Sequence, residues 1–160
     1  IQILNLMRKK QYRCFQLLFF SIFSFNMMAQ SEIIITDKNK IITASENTQQ
    51  AAKILKIYLD KSFAKPFEIA ADSKKETNAS EIILSISENE KLKPNEFIIK
   101  SDSKSIYLIA SNQKYLRYAL YTLLEIWEFR KFTSTENYIP KVTQLTFVKN
   151  IQKIHQPSFD

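Results

Sequence analysis

Apolar residues fall at two distinct periods along this chain. Leu116, Ala119, Leu120, Leu123, Leu124 and Trp127 follow the i, i+3, i+4, i+7, i+8, i+11 pattern without a break. That spacing puts all six on one face of an amphipathic helix, predicted over 112–127, with Ser111 or Asn112 able to cap it. Ala51, Ile54, Leu55, Tyr58 and Leu59 repeat the period in an earlier helix, which starts at Ser45 as N-cap and runs to about Phe63. Pro66 blocks its continuation, because proline lacks the N–H and clashes with the preceding turn.

The other apolar runs are short. "EIIITDKNKIITA" holds two runs around Asp37 to Lys40, and Asp and Asn tolerate tight backbone, so a hairpin is expected. "PFEIA" reads as a short strand, and "EIILSIS" as a central one, being almost continuously apolar. "EFIIKS" and "KSIYLIA" flank Asp102 and Ser103 as a second hairpin. "FRKFT" and "QLTFV" read as closing strands, and the tail "QKIHQPSFD", with Pro157, as an exit segment. Polar loops, "DSKKETNAS" and "ENEKLKPN", separate these pieces. The expected fold is α/β (α+β): one mixed sheet of about six to seven strands with two main helices packed on it.

Composition changes the picture in two places. The chain has no glycine among 160 residues, so every tight turn and helix end must be built from other residues. The formal charge is +7, but four of the 23 basic residues, Arg8, Lys9, Lys10 and Arg13, lie in the first 29 residues, where there is no acid. That leaves 19 against 16 acids, interspersed: Lys74 and Lys75 meet Glu76, and Lys91 and Lys93 sit among Glu88, Glu90 and Glu96. A mixed, solvated surface is expected, with no nucleic-acid partner.

From Met7 the sequence reads "MRKKQYRCFQLLFFSIFSFNMMAQS": a basic stretch, an apolar run over 14–25, then Ala29 before Gln30. This is the layout of a secretory signal, with an uncleaved anchor as the alternative. The run is shorter than the roughly 20 residues that span a bilayer comfortably. The expected division is 1–29 as upstream residues and signal, 30–150 as the α/β domain, and 151–160 as a linker. Export to a bacterial periplasm, cell surface or medium follows, with no stable membrane association after cleavage. Cys14 opens the apolar run, whereas a lipid-bearing cysteine would close it. Cys14 is also the only cysteine, so the mature chain can form no disulfide and offers no thiol nucleophile.

Candidate chemistry is sparse. His155 is the only histidine and lies in the tail, where a surface or linker role is expected. One histidine, no mature cysteine and scattered acids argue against a dedicated metal site. Phosphate loops need glycine for close approach. No cofactor is implied. Glu125 and Glu128, three apart at a helix end, are the most suggestive acid pair. The plainer reading has Glu125 capping or pairing with a neighbour such as Arg130, and Glu128 solvated. Tyr115, Tyr118 and Tyr121 flank the last helix and form a candidate face for domain packing or for stacking on sugar rings. Asn78-Ala79-Ser80 matches a glycosylation acceptor, a match that arises readily by chance.

The segment "KYLRYALYTLLEIWEFRKFTSTENYIPK" resembles the end of the small N-terminal α/β domain that precedes the barrel in β-N-acetylhexosaminidases and α-glucuronidases. Tyr118-Ala119, Leu123-Leu124-Glu125, Phe129-Arg130, Phe132 and Ile139-Pro140-Lys141 carry the likeness. Upstream, "AAKILKIYLDK", "EIILSI" and "EFIIKSDSKSIYLIA" match in order, and "QPSF" resembles the lead into the barrel. The chain departs from the pattern where Glu128 replaces a turn glycine, and where Ala110-Ser111 stands in place of a glycine that often opens the last helix. The resemblance implies a non-catalytic accessory domain whose partner is the catalytic barrel. In that family the acid/base carboxylates lie on the barrel, so no catalytic residue carries over to this chain. A free-standing exported module that binds carbohydrate or protein is the alternative.

Overall fold

The computed structural model describes residues 31–71, 80–87, 92–131 and 137–156. The signal-like region, the acceptor Asn78, Phe132 and the "PSF" of the tail lie outside these residues. Among the described residues, ten strands and two helices follow in order. They are β1 (Glu32–Ile35), β2 (Lys40–Thr43), α1 (Glu46–Ser62), β3 (Glu68–Ala70), β4 (Glu81–Ile86), β5 (Phe97–Ser101), β6 (Ser105–Ala110), α2 (Gln113–Ile126), β7 (Arg130–Lys131), β8 (Asn137–Tyr138), β9 (Leu145–Val148) and β10 (Gln152–His155). Six strands form the main sheet in the order β10-β5-β6-β4-β2-β3. β3, β2, β4 and β6 run parallel to one another, while β5 and β10 are antiparallel to their neighbours. Two ribbons, β1–β9 and β7–β8, stand apart from it. The expected mixed sheet with two helices is therefore present, with β4 in its interior.

Both helices cover one face. Ile82 and Leu84 of β4, Ile106, Leu108 and Ala110 of β6, and Phe97 and Ile99 of β5 point to it and are buried. Leu55 and Leu59 of α1 and Leu116, Leu120 and Leu123 of α2 meet them with no accessible surface. Each such side chain contributes about 1.5–3 kcal/mol by leaving water. Ile98 and Ile109, a register pair, are buried on the opposite face and do not join this core. The helices lie side by side, and polar contacts join their first turns. Gln113 donates to the Asn47 carbonyl at 3.2 Å, and Arg117 to the Gln50 side chain at 2.7 Å.

The helix ends show how a glycine-free chain turns. At the start of α2 the Asn112 side chain accepts from the Lys114 and Tyr115 amides at 3.0 and 3.2 Å. At its end Glu128 takes φ 65, the left-handed conformation. The Glu128 N–H then reaches the Glu125 carbonyl and the Phe129 N–H the Leu124 carbonyl, both at 2.9 Å. This nested pair is a complete Schellman motif, with buried Phe129 packed beside buried Leu124 as its apolar lock. Asn150 at φ 55 makes the other left-handed turn, between β9 and β10. Ser101 fastens that connection: its hydroxyl donates to the Val148 carbonyl at 2.6 Å, and its N–H to the Ile151 carbonyl at 2.8 Å.

α1 ends differently. Lys141 Nζ donates to the Lys61 carbonyl at 2.6 Å, and the Val142 N–H to the Ser62 carbonyl at 3.2 Å. The Ser62 hydroxyl bonds the Pro140 carbonyl. The Ile139-Pro140-Lys141 loop thus satisfies carbonyls that the helix leaves open, and its ammonium faces the negative end of the helix dipole. Asp60 then turns the chain toward β3. It accepts from the Phe67 N–H at 2.7 Å and from Lys56 Nζ at 2.6 Å, and Lys56 also bonds the Phe67 carbonyl at 2.6 Å.

Three expectations are corrected. β1 and β2 are joined by a tight turn, with the Asn39 N–H on the Thr36 carbonyl at 3.0 Å, but they are not a hairpin. β1 pairs with β9, and β2 pairs with β3 and β4. The buried Asn39 side chain bonds the Ser80 carbonyl, which draws β2 toward β4. The tail is not simply an exit segment, since Gln152–His155 adds an edge strand to β5. No ion pair joins Glu125 to Arg130 among the described residues; both stand exposed.

Candidate functional face

The three candidate tyrosines lie along the outer part of α2. All are partly buried and pack against the core. They do not act as one stripe. Tyr115 and Tyr118, three residues apart, meet edge to face with ring centroids 5.6 Å apart. Lys114 Nζ lies 5.4 Å from the Tyr115 centroid and 6.0 Å from that of Tyr118, so one cation covers both rings. Tyr121 is one turn on and leans toward α1. Burial raises the Tyr58 phenol above its ordinary value, and Tyr121 nearby adds to the shift. Tyr58 in turn meets Phe129 edge to face at 6.2 Å. The face is therefore an aromatic pair under Lys114 plus a separate inter-helix group.

Each helix also exposes one aliphatic side chain, Ile57 on the outer face of α1 and Ile126 on the flank of α2 beside β9 and β10. Ile57 of α1 is 53% exposed and Ile126 of α2 is 47% exposed. Glu125 and Glu128 project into solvent from the same end of α2, beside no described cavity.

Depressions on the described surface include two of note. A groove of about 610 Å³ runs between the end of α1 and residues 141–144, lined by Ser62, Phe63, Ala64 and Lys141 to Gln144, with no acid. A smaller cleft of about 170 Å³ lies among β1, β9, β10 and the end of α2, and Glu32 is its only carboxylate. Glycoside hydrolysis of the usual kind needs two carboxyls flanking one bond. Neither depression supplies them. Among the described residues, no group of three His, Cys, Asp or Glu is placed to hold a metal, and no helix is long and apolar enough to cross a membrane.

His155 departs from its expected surface or linker role. Its ring stacks on Phe97, centroids 5.0 Å apart and planes 6° from parallel. Its Nε2 is buried with no hydrogen-bond partner among the described residues. Four residues make too short a run to announce this strand, and Lys153 breaks its apolar alternation on the face shared with Ile99.

Comparison with solved structures places the fold. The chain superposes on part of the GH20 β-N-acetylhexosaminidase from Streptomyces coelicolor A3(2) with a TM-score of 0.61, covering 81% of this chain and 24% of that one at 12% identity. On a GH20 exo-β-N-acetylglucosaminidase from Vibrio harveyi the TM-score is 0.56, covering 81% and 17% at 17% identity. On a GH115 4-O-methyl-α-glucuronidase with specificity for decorated arabinogalactans it is 0.57, covering 79% and 18% at 11% identity. The chain thus shares the fold of a domain found in glycoside hydrolases and spans a quarter or less of each of these proteins. No family model and no curated protein matches its sequence.

Proposed function

We propose that this chain is a non-catalytic accessory domain of a secreted bacterial carbohydrate-active enzyme, which packs against and positions a catalytic barrel downstream of it. The observation that carries the reading is the recurrence of one fold in enzymes of different chemistry. A β-N-acetylhexosaminidase and an α-glucuronidase differ in sugar and in anomeric configuration, yet both contain it. A part common to both is suited to a task that neither sugar dictates. The outer helix layer, with Ile57 and the three tyrosines, is the surface offered to the barrel. The residues behind the sequence resemblance support a structural role: Phe129 locks the end of α2 and Lys141 caps α1.

The test is turnover. The purified chain, incubated with aryl N-acetyl-β-glucosaminides and aryl α-glucuronides, is expected to release no phenol above the buffer rate. Release that disappears in an E125Q/E128Q variant would overturn the non-catalytic assignment.

A free-standing glycan-binding module is the second reading, favoured by the Tyr115–Tyr118 pair beneath Lys114. It requires saturable glycan binding that is lost when Tyr115, Tyr118 and Tyr121 become Ala. The accessory-domain reading requires no such binding, and self-association through the open helix face instead.

A further inference from the structure

We propose that His155 is a pH latch on the edge of the sheet: protonation of its ring releases strand β10 from β5. Three features of the strand support this. Among the described residues β10 is an edge strand, paired on one side only through the four-residue register Gln152 to Lys100, Lys153 to Ile99, Ile154 to Ile98 and His155 to Phe97. Gln152, Lys153 and Ile154 are all exposed, so little side-chain burial holds the strand. His155 is the exception, through its stack on Phe97. The ring that anchors the strand is also the one group there that can gain charge near neutral pH.

Its surroundings suit only the neutral form. The buried Nε2 finds no partner among the described residues, so a proton placed there is not solvated until the ring moves out. Phe97 and Ile99 of β5, Phe147 and Val148 of β9, and Ile126 of α2 supply no titratable group around the ring and its cleft. Lys153, two residues back on the same side of β10, faces that cleft and repels the imidazolium. Glu32 of β1 stands on the rim and would favour it, but its exposed carboxylate is screened by water. Glu96, just before β5, is engaged by Lys93 at 3.4 Å. Burial first, and Lys153 second, hold the ring below the ordinary histidine value.

The direction follows from linkage. A histidine whose folded pKa is depressed binds fewer protons in the paired state than in the released one. Pairing of β10 is therefore fully favoured above about pH 6.5 and weakens as the pH falls below it. Each unit of depression corresponds to up to about a tenfold shift of the opening equilibrium.

The chain has only one histidine, so its imidazole signals are unambiguous in an NMR titration of the full protein. The expected result is a pKa below about 6.5. Amide-exchange protection of Lys153, Ile154 and His155, corrected for intrinsic exchange, should fall several-fold between about pH 7.5 and 5, while that of Leu84 in β4 holds. His155→Phe keeps a stacking ring and removes the proton, and its β10 protection should not change with pH. Lys153→Gln raises the histidine pKa and shrinks the loss, which decides the matter if His155→Phe does not fold. A pKa at or above the ordinary value, or the same acid-induced loss in His155→Phe, overturns the latch.

Discussion

Replacing Glu128 by glycine removes a side chain and should cost no stability. Glu128 sits at φ 65, where a residue with a Cβ is strained by roughly 1–2 kcal/mol. It also places a carboxylate at the C-terminus of α2, against the helix dipole, for about 0.3–1 kcal/mol more at low salt. Glycine relieves both. Against this, glycine gives the unfolded chain extra freedom, worth roughly 0.5–1 kcal/mol. The balance is a gain of about 0.3–2.5 kcal/mol, or roughly 1–10 °C in melting temperature for a domain of this size. Thermal melts of the wild type, E128G, E128N and E128Q at low and high salt separate the two contributions. E128N should gain, because asparagine accepts left-handed backbone more readily than glutamate. E128Q should gain only the electrostatic part, and lose that gain at high salt. A loss of more than about 1 kcal/mol in E128G would mean that the carboxylate itself holds the turn, and would refute the Schellman account.

Further predictions rest on other single contacts. Trp127 donates its indole N–H to the Thr146 carbonyl at 2.9 Å, which ties α2 to β9. W127F should therefore lose about 1–3 kcal/mol in denaturant melts followed by circular dichroism, since the only tryptophan is gone. K141M, which keeps the aliphatic stem and loses the donor to Lys61, should cost about 1 kcal/mol in urea titrations, and an unchanged midpoint would deny the capping role. Asp102 accepts from the Lys104 and Ser105 amides and from the Tyr107 hydroxyl, each at 2.7 Å. Burial pushes its carboxyl up, but these bonds, with the charge of Lys104, outweigh that and hold it below the usual range. The stability it contributes is present above the unfolded carboxylate pKa and is lost as the pH falls through the folded one. D102N should flatten the acid limb of the stability curve, and an unchanged limb would count against the assignment.

The sequence reveals what local chemistry determines. Both helices appear within a residue or two, because their apolar stripes and the caps Ser45 and Asn112 are local signals. The β5–β6 hairpin appears for the same reason, its turn being held by Asp102, three residues before its partner Ser105. The misread pieces are those whose partners lie far away. β1 pairs with β9 more than a hundred residues on, and nothing in "EIIITDKNKIITA" announces that its two runs belong to different sheets. β10 is short and its inner face carries Lys153, so its place on β5 depends on Phe97 and Ser101, which no local pattern points to. The three tyrosines are visible as helix neighbours, but their division into a pair and a singlet depends on α1, through Tyr58. Replacing the pattern glycine with Glu128 left the turn intact, because two backbone bonds and the Phe129 lock define it.

The accessory-domain account is tested most directly by the coding frame that follows the codon for Asp160, read from the native transcript. The account predicts that the frame stays open into a barrel-forming segment carrying paired carboxylates. A stop codon there, with a free-standing product of this length in the exported fraction, would contradict it.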